Sequence, residues 1–191
     1  MLVTHSREKL LNAIIFFLGE TRSCHKMKVF KLLFLLDFEV YRQTGKSVTG
    51  LSYFAWPMGP VPSKLFEELK SPASDFQTHL AISIGKSRDD DFGESILNFR
   101  AKKAFDSSWF SARELSVMNR LAEIFKDATA QQMSAVTHVL GSPWHQVFEI
   151  EKNKQGLIPY VLAIDGKSDS ISREVAKLIE DEELEAARLF G

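Results

Sequence analysis

The sequence predicts an α+β fold, mostly helical: a single domain in which a small antiparallel β-sheet or hairpin packs on a helical core. Three observations carry that prediction. Residues 25–43 are apolar around most of a helical circumference, as expected of a helix enclosed by its own domain. Runs rich in aromatic and β-branched residues cluster between residues 51 and 101. From residue 111 the chain returns to helical periodicity, opened twice by capping signatures.

Taken in order, residues 6–18 read as a first helix, with Leu10, Leu11, Ile14, Phe17 and Leu18 at helical spacing. Residues 25–43 form the second. Leu32, Leu33, Leu36 and Val40 make one stripe, which Phe30, Phe34, Phe38 and Tyr41 widen, and Gly45 closes the helix. Leu51 to Trp56 reads as a short strand. Pro57 to Pro62 is neither helix nor central strand, because its three prolines lack the N–H donor and fix φ. Pro62 opens a short helix to Leu69. After a loop at Ser71 to Asp75, His79 to Ile84 and Ser95 to Ala101 read as a hairpin joined by the charged loop Gly85 to Gly93, with Leu51 to Trp56 as a third strand of the same sheet.

In the rear half, Ser111 and Glu114 form a capping box before a helix to about Lys126, and Thr129 and Gln132 form another before a helix to about Leu140. Gly141 stops that helix, Ser142 and Pro143 start a short one carrying Trp144, and Pro159 marks a break. Residues 170–189 form a last helix with Ile171, Val175, Leu178 and Ile179 on its buried side.

The bulk numbers fit this scheme. The chain has 191 residues, 45% apolar and 26% charged, the balance of an ordinary globular protein. Fifteen Phe predict a thick aromatic core. The one cysteine, Cys24, excludes an internal disulfide and fits a reducing compartment. The apolar run Leu10 to Leu18 is too short to span a bilayer and is not followed by a cleavage site, so a cytoplasmic location with no membrane attachment is the expectation. Residues 1–103 carry 15 basic and 11 acidic side chains, and residues 104–191 carry 9 and 14. That asymmetry is mild, and a nucleic-acid footprint needs a clustered basic face.

Chemistry concentrates at few positions. Asp37 emerges from the apolar face made by Leu33, Phe34 and Tyr41, so it must find hydrogen-bond donors or shift its pKa upward. The simplest donors are backbone N–H groups of the Gly59 turn, or Trp and Tyr side chains. The loop Trp56-Pro57-Met58-Gly59-Pro60-Val61-Pro62 is rigid and apolar. It serves either as a turn aiming the next helix or as a preformed surface in which Trp56, Met58, Gly59 and Pro60 meet a partner. Thr137, His138, Gly141, Pro143 and Trp144 read as a helix corner with Trp144 in the core and His138 hydrogen-bonded nearby. His138 and His145 do not have a trusted metal spacing, and Asp89-Asp90-Asp91 lacks the alternating ligands of a calcium loop. Cys24-His25 has no adjacent orienting group for nucleophilic catalysis. The acidic run Glu180 to Glu185 is either a solvated face or a dock for a basic partner. No catalytic set, metal site or cofactor motif is recognisable, and no cofactor is implied.

KLLFLLDFEVYRQTGKSVTG, followed by a short strand and GPVP, resembles the front motif of the Panacea, or SocA-like, antitoxin domain. THVLGSPW is similar to that family's second motif. The matching positions are Lys31, Leu32, Leu33, Asp37, Gly50, Gly59, Pro60, Thr137, His138, Pro143 and Trp144, with Phe34 standing where the family often has Tyr. The resemblance implies a Panacea domain over residues 1–150 and an acidic helical extension, 151–191, packed on the same domain. It further implies a non-enzymatic antitoxin, of bacterial or phage-associated type, that binds a cognate toxin protein directly. Related readings are an adaptor that delivers the toxin to a cytoplasmic protease, a DNA-binding regulator, an enzyme reversing the toxin's damage with Asp37 and His138 as acid and base, and a homodimer formed through the tail. The resemblance carries no catalytic residues; the matched positions are expected to hold the scaffold.

Overall fold

The computed structural model describes residues 5–85 and 96–190. Helix α1 (Ser6–Glu20) and helix α2 (Lys26–Thr44) lead into strands β1 (Tyr53–Trp56) and β2 (Gly59–Pro62). The short helices α3 (Ser63–Glu68) and α4 (Ser74–His79) follow, then strands β3 (Leu80–Gly85) and β4 (Ile96–Ala101). The rear half holds α5 (Ala112–Ile124), α6 (Ala130–Thr137), α7 (Pro143–His145) and α8 (Arg173–Phe190). A π-turn at Gln146–Ile150 and a 3-10 turn at Tyr160–Ala163 lie between α7 and α8. The fold is α+β and mostly helical, as the sequence predicts.

Helix α2 is the axle. It packs against α1, α5, α6, β2 and the Tyr160–Ala163 turn, and Val29, Phe30, Leu32, Leu33 and Leu36 are wholly excluded from solvent. Gly45 ends it in the left-handed region, its N–H donating to the Tyr41 carbonyl. Both predicted capping boxes are present. Ser111 Oγ accepts from Glu114 N while Glu114 Oε2 accepts from Ser111 N, and Thr129 and Gln132 exchange the same pair of bonds. Glu114 also receives Lys9 Nζ at 2.7 Å, which ties α5 to α1.

The β-structure departs from expectation. Among the described residues the strands form two separate two-stranded antiparallel sheets, β1–β2 and β3–β4, rather than one sheet of three strands. Pro57 to Pro62 supplies strand β2, paired Tyr53↔Pro62, Phe54↔Val61, Ala55↔Pro60 and Trp56↔Gly59. Pro60 and Pro62 are two residues apart, so both missing N–H groups fall on the same edge of a strand that has only one partner, where proline is tolerated. The other edge of β1 is covered from far along the chain. Ala55 N donates to Gly156 O, Gln155 N to Ala55 O and Ile158 N to Tyr53 O. Residues 155–158 therefore do the work expected of the β3–β4 hairpin. The loop between β3 and β4, with Asp89–Asp91, lies outside the described residues.

Two further corrections concern helices. Residues 74–79 form α4 where a loop and a strand start are expected. Six residues are too few for a periodic signal; the helix is anchored by its own buried Phe76 and from outside by Arg7, whose guanidinium bridges Asp75 and Glu68 at 2.7 Å from each. In α8 the expected buried stripe is only partly inward: Ala176 is buried and Ile179 half-buried, but Val175 and Leu178 are exposed. The helix docks along one edge. A Cβ on Gly45 would lie 2.7 Å from Ile179 Cδ1, so the bare glycine makes room for that isoleucine. Ile171 N donates to Arg42 O, Arg42 is clamped by Asp169 and Glu39, and Lys46 pairs with Glu183.

Candidate functional site

Two polar clusters are built into α2, one per face. Asp37 is fully buried, and its carboxylate is the hub of the 47–53 loop. It accepts from Val48 N at 2.9 Å, Thr49 N at 2.8 Å, the Thr49 hydroxyl and the Tyr53 hydroxyl at 2.7 Å, with the Tyr160 hydroxyl at 3.5 Å. Burial pushes the Asp37 carboxyl above the usual range, while Thr49, Tyr53 and the two backbone donors pull it back down. Tyr donation agrees with the sequence reading. The backbone donors come from the turn after α2 instead of the Gly59 turn, because Gly45 in the left-handed region folds the chain straight back over Asp37. Gly50 (φ +68°) sits in the same return.

The second cluster lies where β2 crosses α2 and α6. Lys31 is also fully buried; its Nζ donates to Pro60 O at 3.0 Å and has no carboxylate within ion-pair distance among the described residues. Burial lowers its pKa from 10.5 to about 7. Gly59 has φ +99°, and a Cβ there would fall 2.6 Å from Lys31 Nζ and 2.9 Å from His138 Nε2. His138 stacks on Trp144 with ring centroids 3.8 Å apart, and Trp144 stacks on Phe148 at 4.6 Å. The His138 Nε2 is buried with no hydrogen-bond partner among the described residues, where a nearby bond is expected. Burial, then the charge of Lys31, holds the His138 pKa below its ordinary value. Trp144 Nε1 donates to Trp56 O at 2.9 Å, Ser142 Oγ to Thr137 O at 2.9 Å, and Ser134 Oγ to Met58 O at 3.3 Å. Thr137 is buried and Pro143 begins α7, so the THVLGSPW motif is a corner locked onto the β1–β2 turn.

This geometry requires glycine at position 59. Gly59→Ala is expected to lose about 2–4 kcal/mol, from positive-φ strain plus overpacking against Lys31 and His138. Urea unfolding checks it, and a loss below about 0.5 kcal/mol would show that the corner yields easily.

Of the four residues considered for partner contact, Gly59 and Pro60 are buried and Trp56 is half-buried against Phe66. Met58 is 50% exposed. The contact of Gly59 with His138 brings it beside the chain that carries Val139 and Leu140, exposed by 57% and 82%. Leu32 and Leu33 are core. Asp37 and His138 do not form an acid–base pair: Asp37 is sealed by residues 48–53, and His138 lies against Lys31, Gly59 and Trp144. Lys31 and Asp37 are six residues apart on α2, about 9 Å along its axis. The Cys24 thiol is pushed up by burial, opposite to an activated nucleophile. Among the described residues no group of His, Cys, Asp or Glu is placed to hold a metal ion, and no helix is long and apolar enough to cross a membrane.

Sequence reasoning gave Lys31 no physical role. The signal was present: Lys28 and Lys31, three apart in the mostly apolar first half of α2, are both buried. Lys28 Nζ caps carbonyls of Arg22 and Lys126 as Lys31 caps that of Pro60.

The mostly helical scaffold turns Lys31, Asp37 and Thr137 inward and leaves Met58, Val139 and Leu140 exposed. The Antitoxin SocA-like, Panacea domain family matches the chain over residues 29–145, and the chain belongs to that family. That span includes Lys31, Asp37, Gly59 and His138 and ends at α7, with Phe148 and Tyr160 of the two clusters beyond it. No curated protein and no solved structure matches it.

Proposed function

We propose that this chain is an antitoxin that neutralises a cognate bacterial or prophage toxin protein by binding it directly. The observation that carries the reading is the corner: Met58, Val139 and Leu140 stand exposed on backbone locked by the Trp144–Trp56 bond, the His138–Trp144 stack and the buried Lys31–Pro60 bond. Apolar side chains held out on a rigid support bind with little ordering cost, the property of an interface anchor. The surrounding motif residues act as scaffold, and different toxins are accommodated by changing what the corner presents. The family assignment supports this class of function.

The test is co-expression with the product of the neighbouring short reading frame. The wild-type chain restores growth, and Met58→Asp with Leu140→Asp abolishes rescue and weakens toxin binding at least ~100-fold while leaving the fold intact. Full rescue by the double variant would move the contact elsewhere.

A further inference from the structure

Helix α8 presents a second face that the body leaves uncovered. Its inner edge carries buried Ala176, Ile179 against Gly45 at the end of α2, and Glu183 paired with Lys46. On the outer side, Val175, Leu178, Glu182, Glu185 and Leu189 follow one another at steps of three and four, the spacing of a helix-pairing seam. All five are exposed, Leu178 by 63% and Leu189 by 69%. The seam is apolar at both ends and carries two carboxylates at its centre. Neither carboxylate has an ion-pair partner among the described residues. The helix as a whole holds six acidic side chains against three basic ones.

That pattern selects its occupant. In a second copy paired in parallel register, Glu182 and Glu185 would meet their own counterparts. In an antiparallel pair centred on the seam, Glu182 would meet Glu182. Like charges at the middle of such a contact oppose self-association. We propose that the outer face of α8 pairs with a cationic amphipathic helix of the partner polypeptide, whose apolar residues cover Val175, Leu178 and Leu189 and whose central basic side chains meet Glu182 and Glu185. This rests on the antitoxin reading for the identity of the partner as the toxin, but not for the chemistry of the surface.

The experiment uses the full chain and a synthetic amphipathic helix of roughly 20 residues, with leucine at the pairing positions and arginine at the two central ones. A second peptide has glutamate in place of those arginines. The arginine peptide is expected to bind at least about tenfold more tightly, with amide shifts confined to α8, and the Glu182→Lys/Glu185→Lys variant reverses the preference. Equal binding of both peptides, shifts away from α8, or a preference unchanged in the variant would overturn the proposal. So would a homodimer, seen in sedimentation, that Leu178→Asp/Leu189→Asp dissolves. In co-expression, Leu178→Asp/Leu189→Asp is expected to lose rescue where the wild type rescues; rescue by both refutes α8 as a toxin contact. Failure of the wild type itself refutes the antitoxin reading and leaves the peptide result to decide the surface.

Discussion

Replacing Asp37 with alanine is expected to lower the free energy of unfolding by about 3–5 kcal/mol, a large share of the roughly 5–15 kcal/mol that holds a folded domain. The carboxylate satisfies two backbone N–H groups and two hydroxyls in a fully buried setting. Alanine leaves all four donors without water or partner, and each such group costs about 1–3 kcal/mol, partly relieved by local relaxation. Tyr53→Phe removes a single donor and is expected to cost about 1 kcal/mol. Urea denaturation of the two variants measures both. A loss below about 1 kcal/mol for Asp37→Ala would mean that the 47–53 loop is held by other contacts, and the hub role would be lost.

The second large effect is a pH dependence. Lys31 is held near pKa 7 in the folded chain against 10.5 in the unfolded one. Between those values the unfolded state binds the extra proton, so stability is fully expressed above 10.5 and is lost as pH falls toward 7. The slope contributed by this one group is about 1.4 kcal/mol per pH unit in the middle of the window. Lys31→Met, which keeps the length of the stem, is expected to flatten the profile between about pH 7.5 and 9 and to leave the variant more stable than wild type at pH 7.5. His138 contributes in the same direction below its ordinary pKa, buried Lys28 contributes in the same direction as Lys31, and the raised Cys24, Tyr53 and Tyr160 act oppositely as pH climbs past their ordinary values, so the difference between the wild-type and Lys31→Met profiles, not the wild-type slope alone, reads Lys31. Identical profiles for the two proteins would show that Lys31 keeps its charge in the folded state.

Much of the fold was legible because it rests on local signals. The α2 stripe, the αL glycine at 45, the two capping boxes and the Ser142–Pro143 start are each set by residues within one or two turns, and each is present. What escaped was set at a distance. β2 pairs with β1, and residues 155–158 complete β1 from its other side; no run of sequence near Pro60 announces that second pairing. α4 exists because Arg7, far away in sequence, holds Asp75 and Glu68. Val175 and Leu178 look buried by periodicity, yet α8 meets the body along the edge that carries Ala176, Ile179 and Glu183 and leaves those two exposed.

The candidate site was half legible for the same reason. Asp37 announced itself as a carboxylate on a greasy face, and its need for donors followed from solvation alone. Lys31 and Gly59 were visible as motif residues, but their shared job was not. One glycine without a side chain lets a buried amine and an unpartnered imidazole approach the same point, and only three elements meeting in space reveal it.

The most direct test of the account titrates purified chain against its toxin while following the toxin's activity. Binding by a rigid platform predicts inhibition that saturates at a fixed molar ratio, with intact toxin recovered in the complex and released on denaturation. Full protection at a small fraction of one equivalent, or toxin recovered chemically altered, would contradict it.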